Sequence, residues 1–164
     1  MALNDRLKSF LAQQRVEHQV LPHREVFTAQ EVAEASHVSG RQLAKVVVVR
    51  EEGKGHLMAV IPATRRLDVS ALKELVGSRK LSLDTEDEVG HLFPDCELGA
   101  MPPFGNLYDL RVYIDASFGR EKEFFFQAGN HHEVARMAYA EYARLVNPVV
   151  GELCLPEGEK RPSA

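Results

Sequence analysis

Apolar positions along the chain recur with two periods, and the switches between them divide it into helices and strands. Leu3, Leu7, Phe10 and Leu11 stand at i, i+4, i+7 and i+8, the single stripe of an amphipathic helix. A short strand is expected over 18–21, before Pro22. Thr28-Ala29-Gln30-Glu31 has the form of a capping box, so a second helix begins there and runs to about Ala35, with Gly40 in the loop beyond. The run Leu43-Ala44-Lys45-Val46-Val47-Val48-Val49 is β-branched and too short for most helices, and Gly53-Lys54-Gly55 separates it from 56–61. The two form a hairpin whose first strand is buried. Pro62 ends the second strand, and 68–76 reads as a helix capped by Asp68 and closed by Gly77.

A second capping box, Thr85-Glu86-Asp87-Glu88, opens a short helix toward Leu92 and Phe93. Residues 94–109 are rich in Pro and Gly and read as loop. Strands follow at 111–115, with Val112 and Ile114 alternating, and at 123–128, around Phe124-Phe125-Phe126. Gly129-Asn130 then breaks the chain before an amphipathic helix expected over 131–145, which Asn147-Pro148 stops. Strands and helices do not alternate regularly. The expected fold is therefore a single α+β domain over 1–155, a mixed, mostly antiparallel sheet flanked by helices, with a polar, mobile tail over 156–164.

Length and composition agree with this reading. A chain of 164 residues with 45% hydrophobic positions buries a sizeable core without staples. Cys96 and Cys154 lie far apart, with no CxxC and no paired histidine spacing, which argues against a zinc site or a disulfide framework. No run is long and apolar enough to span a bilayer and the first residues lack a signal-peptide layout, so a cytoplasmic protein without membrane contact is expected.

Net charge changes the picture once it is divided along the chain. The total of −4 is made of −1 over 1–40, +5 over 41–80 and −8 over 81–164. Arg41, Lys45, Arg50, Arg65 and Arg66 lie in the basic middle, which either meets a phosphate backbone or is a solvated face balanced by the acidic half in space.

Three features carry candidate chemistry. Lys45 heads the valine strand, where a charge is costly unless it emerges into a cleft or snorkels to solvent. In Gly99-Ala100-Met101-Pro102-Pro103-Phe104-Gly105, prolines stiffen the backbone and small residues admit a ligand to its amides. The geometry suits an oxyanion, and equally a rigid turn. Ala128-Gly129-Asn130-His131-His132 lies at an expected strand-to-helix junction, with Asn130 as N-cap. That corner either holds an anion or substrate oxygen, or merely caps and packs. A His-His metal site has no third ligand in sequence. Nucleophile elbow, Walker loop, dinucleotide-binding glycines and zinc-protease motif are all missing, and aromatic and basic residues are not interleaved as in a single-strand RNA reader.

In their order and spacing, Ala44-Lys45, Gly99 to Gly105 and Ala128-Gly129-Asn130-His131 resemble the YbaK-type family, related to the editing insertion domain of bacterial prolyl-tRNA synthetases. The resemblance covers about residues 1–150. It implies trans-editing, that is, hydrolysis of the ester between a wrongly attached small amino acid (Ala, Ser, Cys or Pro) and the terminal adenosine of a tRNA, with no metal and no cofactor. Lys45 matches the residue most tied to activity, Gly99 with Ala100 the loop lining the aminoacyl pocket, and His131 the histidine after Ala-Gly-X. Relatives with a second glycine have it where Ala100 stands, and many lack this histidine. The expected pocket is completed by Phe27, Met101, Pro102, Pro103, Phe104, Gly105, Gly129 and Asn130, and the expected tRNA contacts are Arg41, Arg50, Arg65 and Arg66. An aminoacyl ester is already activated, so placing water and stabilising an oxyanion suffice, and an electrostatic role for Lys45 is preferred over general-base action. The partner implied is the acceptor end of an aminoacyl-tRNA, with a cognate synthetase as a second. A non-catalytic tRNA-end or nucleotide-binding module, and a small-ester hydrolase indifferent to RNA, remain the alternatives; oligomeric state is not readable.

Overall fold

A computed structural model describes residues 4–157. Helix α1 (Asp5–Gln13) starts where the Asn4 side chain accepts from the amides of Arg6 and Leu7, and it buries Leu7 and Leu11. Both capping boxes form: Thr28 with Glu31 opens α2 (Ala29–Ala35), and Thr85 with Glu88 opens α4 (Glu86–Leu92). Between them, α3 (Val69–Val76) runs from an Asp68 cap to Gly77, whose φ of 75° closes the helix in the left-handed region.

Strands β1 (Gln19–Pro22), β2 (Leu43–Glu51), β3 (Gly55–Pro62), β4 (Leu81–Leu83), β5 (Arg111–Asp115), β6 (Glu123–Gln127), β7 (Glu133–Ala138) and β8 (Val149–Gly151) form one sheet in the order β1-β7-β6-β2-β3-β5-β8, with β4 also on β2. The sheet is mixed as expected. β2 runs parallel to β6, β3 to β5 and β5 to β8, and the remaining pairs are antiparallel.

Period-2 alternation gives the sheet two different faces. Ala44, Val48, Met58, Val60, Ile114, Phe124 and Phe126 face the main core, where Leu7 and Leu11 of α1 and Tyr142 of helix α5 (Tyr139–Val146) cover them. The opposite face is covered by two separate clusters. One, around Leu57, Ala59, Ile61 and Tyr113, lies under Leu72 of α3 and Leu153; the other, around Leu43, Ala63 and Phe125, lies under Val32 and Ala33 of α2. Lys45 is on this second face, two residues after Leu43 and two before Val47, in the seam between the clusters.

The expected helix over 131–145 is corrected: residues 133–138 form strand β7, and only 139–146 are helical. Glu, Ala, Arg and Met there favour a helix locally, but propensity is a weak prior. β7 pairs with β1 on one side and β6 on the other, and both strands would lose a neighbour without it. Asn130 is consequently not a helix cap. Its Oδ1 accepts from the amide of His132 and its Nδ2 donates to Glu133, which fixes a turn into a strand. The anion site argued from a helix start at this corner is withdrawn with the helix. The three-residue strands β4 and β8 are further additions, and the loop over 94–109 contains a single 3-10 turn at Gly105–Leu107. Leu3 and the tail beyond 157 lie outside the described residues. Among the described residues no helix is long and apolar enough to cross a membrane.

Candidate active site at a fork in the sheet

β2 and β6 are paired only at Leu43 with Phe125 and Ala44 with Phe126. β2 then continues against β3 on one side, and its other edge is taken up again by β4 only from Val49. The sheet therefore forks after Ala44 and Phe126. Lys45 and Gln127 are the first residues past the fork, one on each side. A crevice where neighbouring strands part is the usual position of a ligand site in a sheet with parallel strands.

The Lys45 ammonium donates to the carbonyl of Arg65, 2.8 Å away. Burial in the seam lowers its pKa below the ordinary lysine value, and the nearby Arg66 charge acts in the same direction. Cys154 lies close enough for its charge state to bear on Lys45, but burial pushes this thiol up to about 12, so at neutral pH it is an uncharged neighbour.

Opposite Lys45, the end of β6 is stitched to the glycine loop. Gln127 Nε2 donates to the Gly99 carbonyl at 3.3 Å, and the Gly129 amide donates to the Ala100 carbonyl at 2.9 Å. Gln127 is 4% exposed and its Oε1 has no partner. Gly99 adopts φ 86°, a conformation that favours glycine. The Ala100 amide donates to the Glu97 carbonyl, so it is already used within the loop.

His131 Nε2 lies 2.7 Å from the Leu98 carbonyl, and its backbone amide donates to Glu97. A carbonyl only accepts, so Nε2 carries a proton, while the buried Nδ1 has no partner. Phe27, 62% exposed, sets its ring edge against His131 with centroids 4.9 Å apart. Gly99, Gln127, His131 and Phe27 thus form one connected group on the β6 side of the fork.

Several expected pocket residues are placed elsewhere. Met101 and Phe104 are buried in the main core on the face away from Lys45, where Phe104 meets Phe126 and Tyr142 edge-on. The Pro103 carbonyl accepts from Tyr142, Pro102 is buried, and a Cβ on Gly105 would come within 2.6 Å of Val112. These residues are apolar and their burial in the core anchors the loop, leaving Gly99 exposed beside Gln127. Met101 also lines a small cavity of about 30 Å³ with Val89, Phe93, Cys96 and Leu98. Gly129 and Asn130 line a separate cavity of about 310 Å³ with Asn4, Asp95, Cys96 and His132.

The basic middle of the chain divides in space. Arg41 and Arg66 are exposed at the Lys45 end, where the turn through Gly40 abuts Thr64. Arg65 turns inward and donates to the Leu155 carbonyl. Arg50 is five residues further along β2, about 17 Å at the usual strand rise, and is paired with Glu88. At that far end His56, Asp84 and Glu88 bring three ligand-type atoms within 4.8 Å of one another. His56 is hydrogen-bonded to Asp84, and Glu88 to Arg50 and Thr85, so the three groups already have protein partners. Sequence reasoning missed Gln127, although its spacing of two from Phe125 puts it on the face of Lys45. It also missed the Arg65 carbonyl, which no side-chain pattern reveals.

This fork, with a half-buried lysine on one strand and a glycine-kinked loop held by the other, is found in a chain whose residues 23–145 match the aminoacyl-tRNA editing domain model. The chain belongs to that family. It is 30% identical over 149 residues to the multifunctional Ser/Thr-tRNA deacylase ProXp-y of Escherichia coli (strain K12), covering 88% of this chain and 89% of that protein. It is 24% identical over 107 residues to the prolyl-tRNA editing protein ProX of Acetoanaerobium sticklandii, covering 65% of each. A solved structure described as a candidate trans-editing enzyme for prolyl-tRNA synthetase superposes with a TM-score of 0.79 at 26% identity, over 92% of this chain and 96% of that one. A hypothetical protein of solved structure, 20% identical over 92% of this chain and all of that one, shares the fold with a TM-score of 0.83. The protein is an aminoacyl-tRNA deacylase of the trans-editing type.

Proposed function

We propose that the crevice at the fork is the active site and that Lys45 is its essential residue. The observation that carries this reading is the Lys45 ammonium, desolvated in the seam and fixed on the Arg65 carbonyl, at the point where β2 parts from β6 and Gln127 of the other strand binds Gly99. The ester between an amino acid and the terminal ribose needs no strong nucleophile. Water attacks the ester carbonyl, negative charge develops on its oxygen, and a positive charge held in a poorly solvated place stabilises it without reorganising at the moment of reaction. Lys45 supplies that charge as the ammonium, and the Gly99 backbone shapes the side on which the aminoacyl group rests. His131, buried and hydrogen-bonded to Leu98, holds the loop in place rather than acting as a free base.

Arg41 and Arg66, exposed at the same end, meet the phosphates of the acceptor strand, and the short basic edge suits brief local contact with a tRNA end. The substrates are tRNAs carrying small wrong amino acids, with Ser and Thr favoured by the likeness to a Ser/Thr-tRNA deacylase. The protein acts in the cytoplasm on tRNA released from a synthetase, with or without docking to that enzyme. A deacylation panel with Ala-, Ser-, Thr-, Cys- and Pro-tRNA, with and without free tRNA as competitor, tests the reading. Turnover of a Ser or Thr ester inhibited by free tRNA supports it. Binding without turnover, or hydrolysis of free esters indifferent to RNA, overturns it.

A further inference from the structure

Residues Leu153–Leu155 follow β8 and lie beyond the stretch 23–145 that matches the editing-domain model, yet they are wired to Lys45. We propose that this carboxy-terminal strap, acting through Arg65, is the positioning element of the Lys45 ammonium. The inference rests on the reading of Lys45 as the essential residue.

A lysine reaches its target through four rotatable bonds, so its charge has a defined place only if an acceptor fixes it. That acceptor is the carbonyl of Arg65, in the loop between β3 and α3. A loop carbonyl is a fixed point only if the loop is tied, and the strap ties it three times. The Leu155 amide donates to the Arg66 carbonyl at 2.9 Å, the Asp68 amide donates to the Leu153 carbonyl at 2.7 Å, and the Arg65 guanidinium donates to the Leu155 carbonyl at 2.7 Å. Leu67 and Cys154 form an antiparallel bridge between the same two segments.

The strap is itself anchored. Leu153 is fully buried in the cluster under α3, and its amide donates to Asp115 Oδ1 at the end of β5. Asp115 also accepts from Ser117, so the anchor belongs to the rigid sheet rather than to a loose tail. Cys154 between the two anchoring leucines flanks Lys45 as a neutral thiol and adds no competing charge. Arg65 is thus assigned to the interior: one face of the residue holds the strap, and its carbonyl holds the lysine. This replaces the expectation that its guanidinium meets tRNA.

The test compares the full-length parent with Arg65→Met, which keeps the stem and removes the donor, and with Arg65→Lys, whose amine can still reach the Leu155 carbonyl. Misplacement of a catalytic charge by about 1 Å costs up to roughly a hundredfold in rate. The expected result is a fall in kcat of about 10- to 100-fold for Arg65→Met, with KM and the salt dependence of KM unchanged, and recovery of most of kcat in Arg65→Lys. Should Arg65→Met not fold, Arg65→Gln, too short to hold the strap in the same pose, takes its place with the same expectation. An unchanged kcat, or a raised KM with a shallower salt dependence, overturns the proposal; the second outcome would make Arg65 a phosphate contact. Lys45→Ala measured alongside separates the two claims. If Lys45→Ala is inactive and Arg65→Met fully active, positioning by the strap fails alone. If Lys45→Ala is as active as the parent, the underlying reading fails.

Discussion

Lys45 and Gln127 are the first residues beyond the last paired step of two parallel strands, and they stand on opposite sides of the opening that results. The crevice is therefore a consequence of strand divergence, and the lysine is where it is because β2 continues straight while β6 turns into the Gly129 corner.

The protonation state of Lys45 sets the first prediction. Burial lowers its pKa below the 10.5 of an exposed lysine, and the charged form is the active one. The rate constant kcat/KM, after subtraction of uncatalysed ester hydrolysis, falls as pH rises through this lowered pKa. A profile that rises in step with lysine deprotonation would make the neutral amine a general base instead.

Salt dependence separates the two ends of the basic stretch. Arg41→Ala and Arg66→Ala raise the KM for mischarged tRNA and each reduce the slope of log KM against log salt by about 0.7 to 0.9, one phosphate contact apiece. Lys54→Ala, at the tip of the β2–β3 hairpin, leaves both unchanged. Initial-rate measurements over a salt series read all three.

Gly99 is required for its backbone conformation rather than for space. At φ 86° an alanine is strained by about 1 to 2 kcal/mol, whereas its Cβ would meet only His131 Cε1, at an ordinary 3.6 Å. Gly99→Ala lowers the unfolding free energy by about that amount and, by shifting the carbonyl that holds Gln127, lowers kcat about tenfold. Urea unfolding and single-turnover deacylation report the two effects separately.

His131→Ala removes a buried ring hydrogen-bonded to Leu98 and exposes the edge on which Phe27 rests. The expected loss is about 1 to 3 kcal/mol of stability, read by urea unfolding. Its effect on kcat is well below that of Lys45→Ala, because the ring acts through the loop.

The elements that could be read from the sequence are those whose signals are local. Capping boxes at Thr28 and Thr85, the Asp68 and Gly77 caps and the valine hairpin need only neighbouring residues to form. β7 was hidden because Glu133 to Ala138 suit a helix until two strands offer it pairing on both sides. At the site, Lys45 and Gly99 were legible as a charge in an apolar strand and a glycine in a stiff loop. That loop's apolar half is ambiguous in sequence, since Met101 and Phe104, which pack in the main core, look the same whether they line a pocket or fill a core. The partners that orient Lys45 come from 20 residues away at Arg65 and, beyond that, a further 90 at Leu155, and backbone carbonyls leave no mark in a sequence.

Lys45→Ala tests the central claim most directly, in single-turnover deacylation of mischarged Ser- or Thr-tRNA at neutral pH, with the melting temperature measured on the same sample. A folded variant that has lost at least about a hundredfold in kcat, with tRNA binding little changed, is the predicted result. A folded variant that deacylates as fast as the parent would contradict the account.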